Sequence, residues 1–133
     1  MHKLTRTGLA PVAFEGEVIA QASSRYVRGQ DHNRWHEVAV YRTAGGNYVV
    51  SVAYRTQWQG EDDYHWALEA GAPASVEMRL REIGAEINQP IQGYPPGAQY
   101  QERQARMLHD VQQRFESLVS EVLGGDEFAE KLD

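Results

Sequence analysis

The densest group of residues able to do metal or acid–base chemistry lies between positions 31 and 37. Its members are Asp31, His32, His36 and Glu37, and the two histidines are four residues apart. On a helix this spacing presents two imidazoles to one metal ion, as in the zinc-protease signature. This segment instead runs from a polar stretch into a predicted strand, and no third ligand is obvious. We therefore predict no bound metal or cofactor, while a small metal-dependent enzyme around His32 and His36 stays open as an alternative.

A second group combines arginines with aromatic side chains in the same half of the chain. The predicted binding residues are Arg25, Arg28, Arg34, Arg42, Arg55 and His36, with Tyr26, Trp35 and Trp58 near them. Cations interleaved with aromatic rings are typical of surfaces that bind single-stranded nucleic acid, and a basic surface also attracts acidic protein partners. The competing interpretation is structural. In that case Arg42 and Arg55 pair with acids on the helices, and the aromatic rings belong to the core.

Motifs for catalysis and phosphate binding are absent. The chain has no cysteine, no Gly-x-Ser-x-Gly turn, no Walker sequence and no Gly-x-Gly-x-x-Gly. The acidic run Glu61–Asp63 lacks the twelve-residue ligand spacing of a calcium loop. These absences favour a protein that is not an enzyme, and we assign no catalytic residue.

Charge divides the chain into two unequal parts. Residues 1–58 carry seven lysines and arginines against four acids, whereas residues 59–133 carry six against fifteen. The net charge of the whole is −6. The two parts could simply attract each other in the folded protein. Alternatively, the basic part meets an anion or an acidic partner.

The element that must position these residues is a β-hairpin at 35–58. Both arms are rich in valine, tyrosine and tryptophan, and Gly45-Gly46 between them suits a tight turn. A turn of two or four residues would place Tyr41 opposite Val50 and Glu37 opposite Tyr54. With that register, Trp35, Tyr41 and Tyr54 face the helices, and His36, Arg42 and Arg55 share the other face.

The flanking segments complete an α+β pattern. Alternating polarity predicts strands at 14–22 and 65–70, and residues 1–13 are expected to form an arm or a short edge strand. Helical spacing predicts two main helices, at about 73–88 and 98–123. The predicted fold is an antiparallel β-meander of three to five strands, followed by two helices packed on one face.

Length and composition lead to the expected biological setting. The 133 residues are predicted to form a single domain, 1–133. No apolar run approaches the ~20 residues of a membrane span, and the lack of cysteine favours the cytoplasm. The predicted function is a small, acidic, non-catalytic binding or adaptor protein that contacts an acidic or anionic protein partner. Nucleic-acid binding by the same surface is the alternative, and the polar start of helix 98–123 suggests a homodimer.

Overall fold

The computed structural model describes residues 1–25, 34–57, 60, 62–86 and 98–125, except for the side chains at 98–101, 103, 104 and 107. Six strands and two helices lie within this described part. They are β1 (His2–Arg6), β2 (Leu9–Phe14), β3 (Gly16–Ser23), β4 (Arg34–Thr43), β5 (Tyr48–Thr56), β6 (Tyr64–Ala70), α1 (Pro73–Ala85) and α2 (Ala98–Leu123).

The predicted α+β fold with an antiparallel meander is confirmed. Strands β3, β4, β5 and β6 form a four-stranded antiparallel sheet in chain order. Strands β1 and β2 pair separately as a two-stranded antiparallel sheet. Both helices follow the strands and pack on one face of the four-stranded sheet, as the sequence predicted.

The predicted register of the central hairpin was wrong by one residue. His36 lies opposite Tyr54, and Tyr41 lies opposite Val49. The reason is a loop of three residues, 44–46, closed by hydrogen bonds from the Thr43 N–H to the Asn47 carbonyl (2.8 Å) and from the Gly46 N–H to the Thr43 carbonyl (3.0 Å). Three-residue hairpin loops end in a left-handed residue. Compared with the predicted loop of two or four residues, a loop of three residues moves the side chains of one arm to the opposite face of the sheet.

Gly46 supplies that left-handed residue, with φ of 89°. Gly46→Ala is therefore expected to lower the free energy of unfolding by about 1–2 kcal/mol, because a Cβ is strained in this conformation. Gly45→Ala is the matched control, since Gly45 has no positive φ and its nearest contact to an added Cβ is 3.8 Å away. Chemical denaturation of both variants measures the difference. Equal stability of the two would contradict the assigned turn.

The corrected register determines which residues form the core. Side chains alternate between the two faces of a strand, and the even-numbered positions of β4 and β5 face the helices. These are His36, Val38 and Val40 on β4, and Tyr48, Val50, Val52 and Tyr54 on β5. Each helix packs a stripe of buried apolar side chains against these sheet residues. The stripe of α1 is Val76, Leu80 and Ile83, and that of α2 is Val111, Phe115, Leu118, Val119 and Val122.

The helix ends follow local sequence signals. Pro73 occupies the start of α1, where its missing N–H is not needed. The helix ends at Ala85, where the sequence predicted about 88; the predicted residues 87 and 88 lie outside the described part. Both ends of α2 agree with the prediction, and the Gly124 N–H closes it on the Ser120 carbonyl at 3.0 Å. Neither helix, as far as described, has the length and apolar character needed to cross a membrane.

The opposite face of the four-stranded sheet carries the β1–β2 hairpin. The sequence predicted one arm or short strand at 1–13, whereas the structure has two paired strands. Pro11 within β2 obscured this, because proline is tolerated only at strand edges and bulges. Strand β2 belongs to a two-stranded sheet, where such an edge exists.

Candidate binding cleft on the outer sheet face

A cleft of about 490 Å³ lies between β1 and the sheet face that points away from the helices, called here the outer face. Strand β1 contributes Lys3, Leu4 and Thr5 to its lining. This size falls within the range of known ligand sites, about 300–1,000 Å³. The sheet contributes the remaining outer-face residues, chiefly Gln21, Ser23, Glu37, Ala39, Tyr41, Ser51, Ala53, Arg55 and His65.

The depth of the cleft comes from small side chains at its floor. Ala39 and Ser51 lie opposite each other on β4 and β5, and Ala53 lies one outer-face position further along. In strands otherwise rich in valine and tyrosine, these residues leave the backbone of the sheet open from above. Space at the floor is therefore a consequence of three neighbouring small residues on one face.

An ion-pair cluster borders the floor. The Arg55 Nε donates to Glu37 Oε1 at 2.8 Å, and its Nη1 donates to Asp63 Oδ2 at 3.3 Å. The hydrogen bond to Glu37 is the main reason that the pKa of Arg55 is raised. Asp63 also accepts from the Thr56 N–H at 2.9 Å. These side chains are about 40% exposed, so the cluster contributes little stability after solvent screening; it holds the guanidinium in place.

His65 lies beside this cluster, directly opposite Ala53. Desolvation by burial lowers its pKa, the charge of Arg55 lowers it further, and Asp63 and Glu37 partly oppose both effects. The ring is therefore neutral at pH 7, with one nitrogen able to donate and the other able to accept. His65 can bind polar atoms of either kind.

Lys3 gives the cleft its uncompensated charge. Its side chain is exposed, and no ion pair joins it to another residue in the described part of the chain. Arg55, by contrast, already has two carboxylate partners. The hydroxyls of Thr5, Ser23 and Ser51 add neutral donors and acceptors to the lining of the cleft. The lining thus suits a ligand that has hydrogen-bonding groups and one negative charge.

The hairpin is fastened over the sheet at both ends. At one end Thr7 and His65 exchange two bonds: the His65 N–H donates to Thr7 Oγ1 (2.8 Å), and the Thr7 N–H donates to the His65 carbonyl (3.0 Å). At the other end the His2 ring lies 4.8 Å from that of Tyr41, and its Nε2 is 2.9 Å from the Gly16 carbonyl oxygen. These contacts fix the distance between β1 and the floor.

Thr7→Val is expected to loosen the first of these attachments. It removes the acceptor of a partly buried N–H while preserving side-chain shape, so we expect a loss of about 1–2 kcal/mol in stability and faster hydrogen exchange at His65. Thr7→Ser retains the hydroxyl and should retain wild-type exchange. If Thr7→Val and Thr7→Ser exchange alike at His65, the hydroxyl does not fasten the hairpin.

Two of the predicted binding residues are inside the protein. Arg34 is 6% exposed and His36 is 1% exposed. The His36 ring packs against Tyr54 and Phe115, each at 5.3 Å between ring centroids. Its Nε2 has no hydrogen-bond partner within the described residues. The buried positions of Arg34 and His36 suit a role in packing on the helix side of the sheet.

The other predicted residues are spread over the surface. The Arg25 guanidinium lies 4.2 Å above the Trp35 ring, and Arg28 lies outside the described residues. Arg42 is exposed at the opposite end of the hairpin from Arg55, and on the other face. Arg42 lies opposite Tyr48, and Arg55 is seven positions further along β5, or about 23 Å away. The structure does not bring Arg42 and Arg55 together, and the binding role of the set stays a prediction.

The metal-site alternative receives no geometric support from the described residues. His36 faces the core, and Asp31 and His32 lie outside the described part of the chain. Among the positions that the structure describes, no three histidine or acidic side chains are arranged to hold a metal ion.

Sequence reasoning missed most of the cleft. Arg55 was identified, but Lys3, Ser51, Ala53 and His65 were not. A signal existed in the alternation of small residues along the hairpin, at 39 on one arm and at 51 and 53 on the other. Only the correct register places the three on one face, so the wrong loop length concealed the pattern.

No protein-family model matches the chain, and no curated protein or solved structure shows significant similarity to it.

Proposed function

We propose that this protein is a non-catalytic binding protein that takes an acidic segment of a protein partner into the outer-face cleft. The observation that carries the proposal is the cleft itself: about 490 Å³, floored by small side chains and bordered by fixed polar groups. We place the protein in the cytoplasm as part of the same proposal, because the chain has no cysteine.

The charges of the cleft support an acidic ligand. Lys3 is the cation at its rim, and Arg55 is oriented by Glu37 and Asp63 through Nε and Nη1. Its Nη2 has no acceptor among the described residues and can donate to a ligand. A carboxylate that reaches the Lys3 ammonium or the Arg55 Nη2 would gain a charge-assisted hydrogen bond, which is stronger than a neutral one.

Selection from a displayed library of random heptapeptides tests the proposal. Peptides enriched on the full-length protein should contain aspartate or glutamate, and their affinity should fall with rising salt. Lys3→Glu should weaken a selected peptide by about tenfold. Arg42→Glu is the control, because Arg42 is an exposed cation that lies on the helix side of the sheet and does not line the cleft.

The outcomes are distinct. Equal weakening by Lys3→Glu and Arg42→Glu would mean general charge attraction and would contradict the cleft as the site. Enrichment of peptides without acidic residues would contradict the ligand class. Tight, steeply salt-dependent binding of a single-stranded oligonucleotide, with no peptide enriched, would favour the nucleic-acid alternative instead.

A further inference from the structure

Strand β1 meets the cleft with its backbone edge. Three consecutive residues, Lys3, Leu4 and Thr5, line the cleft, and no residue of β2 does. Because β1 lines the cleft and β2 does not, β1 is the strand of the hairpin nearer the cleft, and its edge away from β2 is the one turned toward the cleft.

That edge of β1 has no partner strand in the described structure. Strand β1 pairs with β2 alone, in a two-stranded sheet. One edge of each strand in such a sheet presents N–H and C=O groups that no ladder satisfies, and such an edge is a template for another strand. Among the residues that the structure describes, the main chain of this segment bonds to β6 only at Thr7, beyond the end of β1, through the His65 carbonyl.

We infer that an extended peptide binds in the cleft by adding a strand to the free edge of β1, with an acidic side chain on its sheet-facing side directed to Arg55 and one on its other side directed to Lys3. This inference rests on the proposed function and specifies its mode of recognition. Main-chain hydrogen bonds to β1 supply affinity, and pockets for alternate side chains supply specificity, as in other cases of strand addition.

The cleft accommodates both sets of side chains of such a peptide. Side chains that point to the sheet enter the space above Ala39, Ser51 and Ala53. An acidic side chain among them meets the Arg55 Nη2. Side chains on the other face of the peptide lie on the side of β1 that carries Lys3, because Lys3 alternates with His2, whose ring lies on Tyr41. The outer edge of the same hairpin is a poorer template, because β2 contains Pro11, which has no N–H to donate.

Hydrogen exchange of the full-length protein tests strand addition. The probe is the acidic heptapeptide most enriched in the library selection, with versions that carry one N-methyl group at each backbone position in turn. We expect exchange at one or more amides of Lys3, Leu4 and Thr5 to slow by about tenfold or more when the peptide is bound. N-methylation at alternate peptide positions should weaken binding by about tenfold, and methylation at the positions between should not.

The outcomes separate this inference from the proposed function. If the peptide binds in a Lys3-dependent manner while β1 exchange is unchanged and every N-methyl version binds equally, strand addition is overturned and the cleft remains the site. If no acidic peptide binds the wild-type protein, the proposed function fails, and this inference fails with it. If β1 amides are protected by dimerisation of the peptide-free protein, the occupant is a second copy and the peptide mode is overturned.

Discussion

Phe115→Ala is expected to lower the free energy of unfolding by about 3–5 kcal/mol, the range for removal of a buried phenylalanine. Phe115 is 2% exposed and lies at the centre of the α2 stripe. Its ring contacts His36 on the sheet, and it lies close enough to Gly84 on α1 that an added Cβ there would be 3.1 Å from its Cε1. One side chain therefore joins both helices to the sheet, and its loss leaves a cavity that the surrounding backbone cannot fill.

Combining Phe115→Ala with a substitution at Gly84 tests the contact between the two helices directly. In the wild type, Gly84→Ala gains helix propensity of about 1 kcal/mol but brings a Cβ against the Phe115 ring. In the Phe115→Ala background that conflict disappears, so Gly84→Ala should then stabilise by about the full propensity gain. Denaturant unfolding of the wild type, the two single variants and the double variant gives the four free energies of this double-mutant cycle. Met78→Ala, at a position 58% exposed on α1, is the control for an apolar truncation outside the core. If the effects of Gly84→Ala and Phe115→Ala on the free energy of unfolding simply add, the contact between these two positions is contradicted.

Acid is expected to destabilise the protein through His36. Desolvation by burial, and to a lesser extent the charge of Arg114, lower its pKa from 6.5 to about 3. The unfolded chain takes up a proton below about pH 6.5, whereas the folded protein does so only near pH 3. Stability is therefore lost as the pH falls through this window, by about 2.5 kcal/mol between pH 7 and pH 4.5 from this group alone.

His36→Leu isolates the contribution of this histidine. Leucine fills similar space between Tyr54 and Phe115, so stability at pH 7 should stay within about 1.5 kcal/mol of the wild type. The backbone N–H of this residue keeps its bond to Ser24 Oγ. The variant should lose less stability than the wild type on acidification. His109→Leu, at an exposed position on α2, is the control and should retain the wild-type slope. Identical slopes for all three proteins would contradict a buried neutral His36.

The order of elements and the ends of α2 could be predicted from the sequence because each rests on a local signal. The apolar stripe of α2, from Val111 to Val122, has helical spacing over several turns, and Gly124 stops it. Such signals require no knowledge of the rest of the chain. The same holds for Pro73 at the start of α1.

The candidate site could not be predicted, because it depends on one residue of register and on contacts distant in sequence. The loop 44–46 has three residues, and this single fact decides whether Val38 and Val40 or Ala39 and Tyr41 face the helices. Both arms are apolar on both faces near their centre, so polarity does not distinguish the two registers. Lys3 lines the same cleft as Arg55 only because the β1–β2 hairpin folds back across the sheet.

The corrected register also reassigns the two hairpin arginines. Arg42 lies on the helix side at one end of β4, and Arg55 on the outer face at the far end of β5. The sequence Tyr-Arg-Thr occurs in both arms, at 41–43 and at 54–56, and the two copies therefore mark no common surface. What the two arms do share is the row of small residues on the outer face, and this row is the physical basis of the cleft.

Filling the cleft tests the central claim most directly. Ala39→Phe would place a ring on the floor, outside the core, and Val18→Phe is the matched control at an exposed strand position (41% exposed) that does not line the cleft. Titration of the selected acidic heptapeptide should show about 30-fold weaker binding to Ala39→Phe, or about 2 kcal/mol, and unchanged binding to Val18→Phe. Wild-type affinity in a folded Ala39→Phe protein would contradict the outer-face cleft as the binding site.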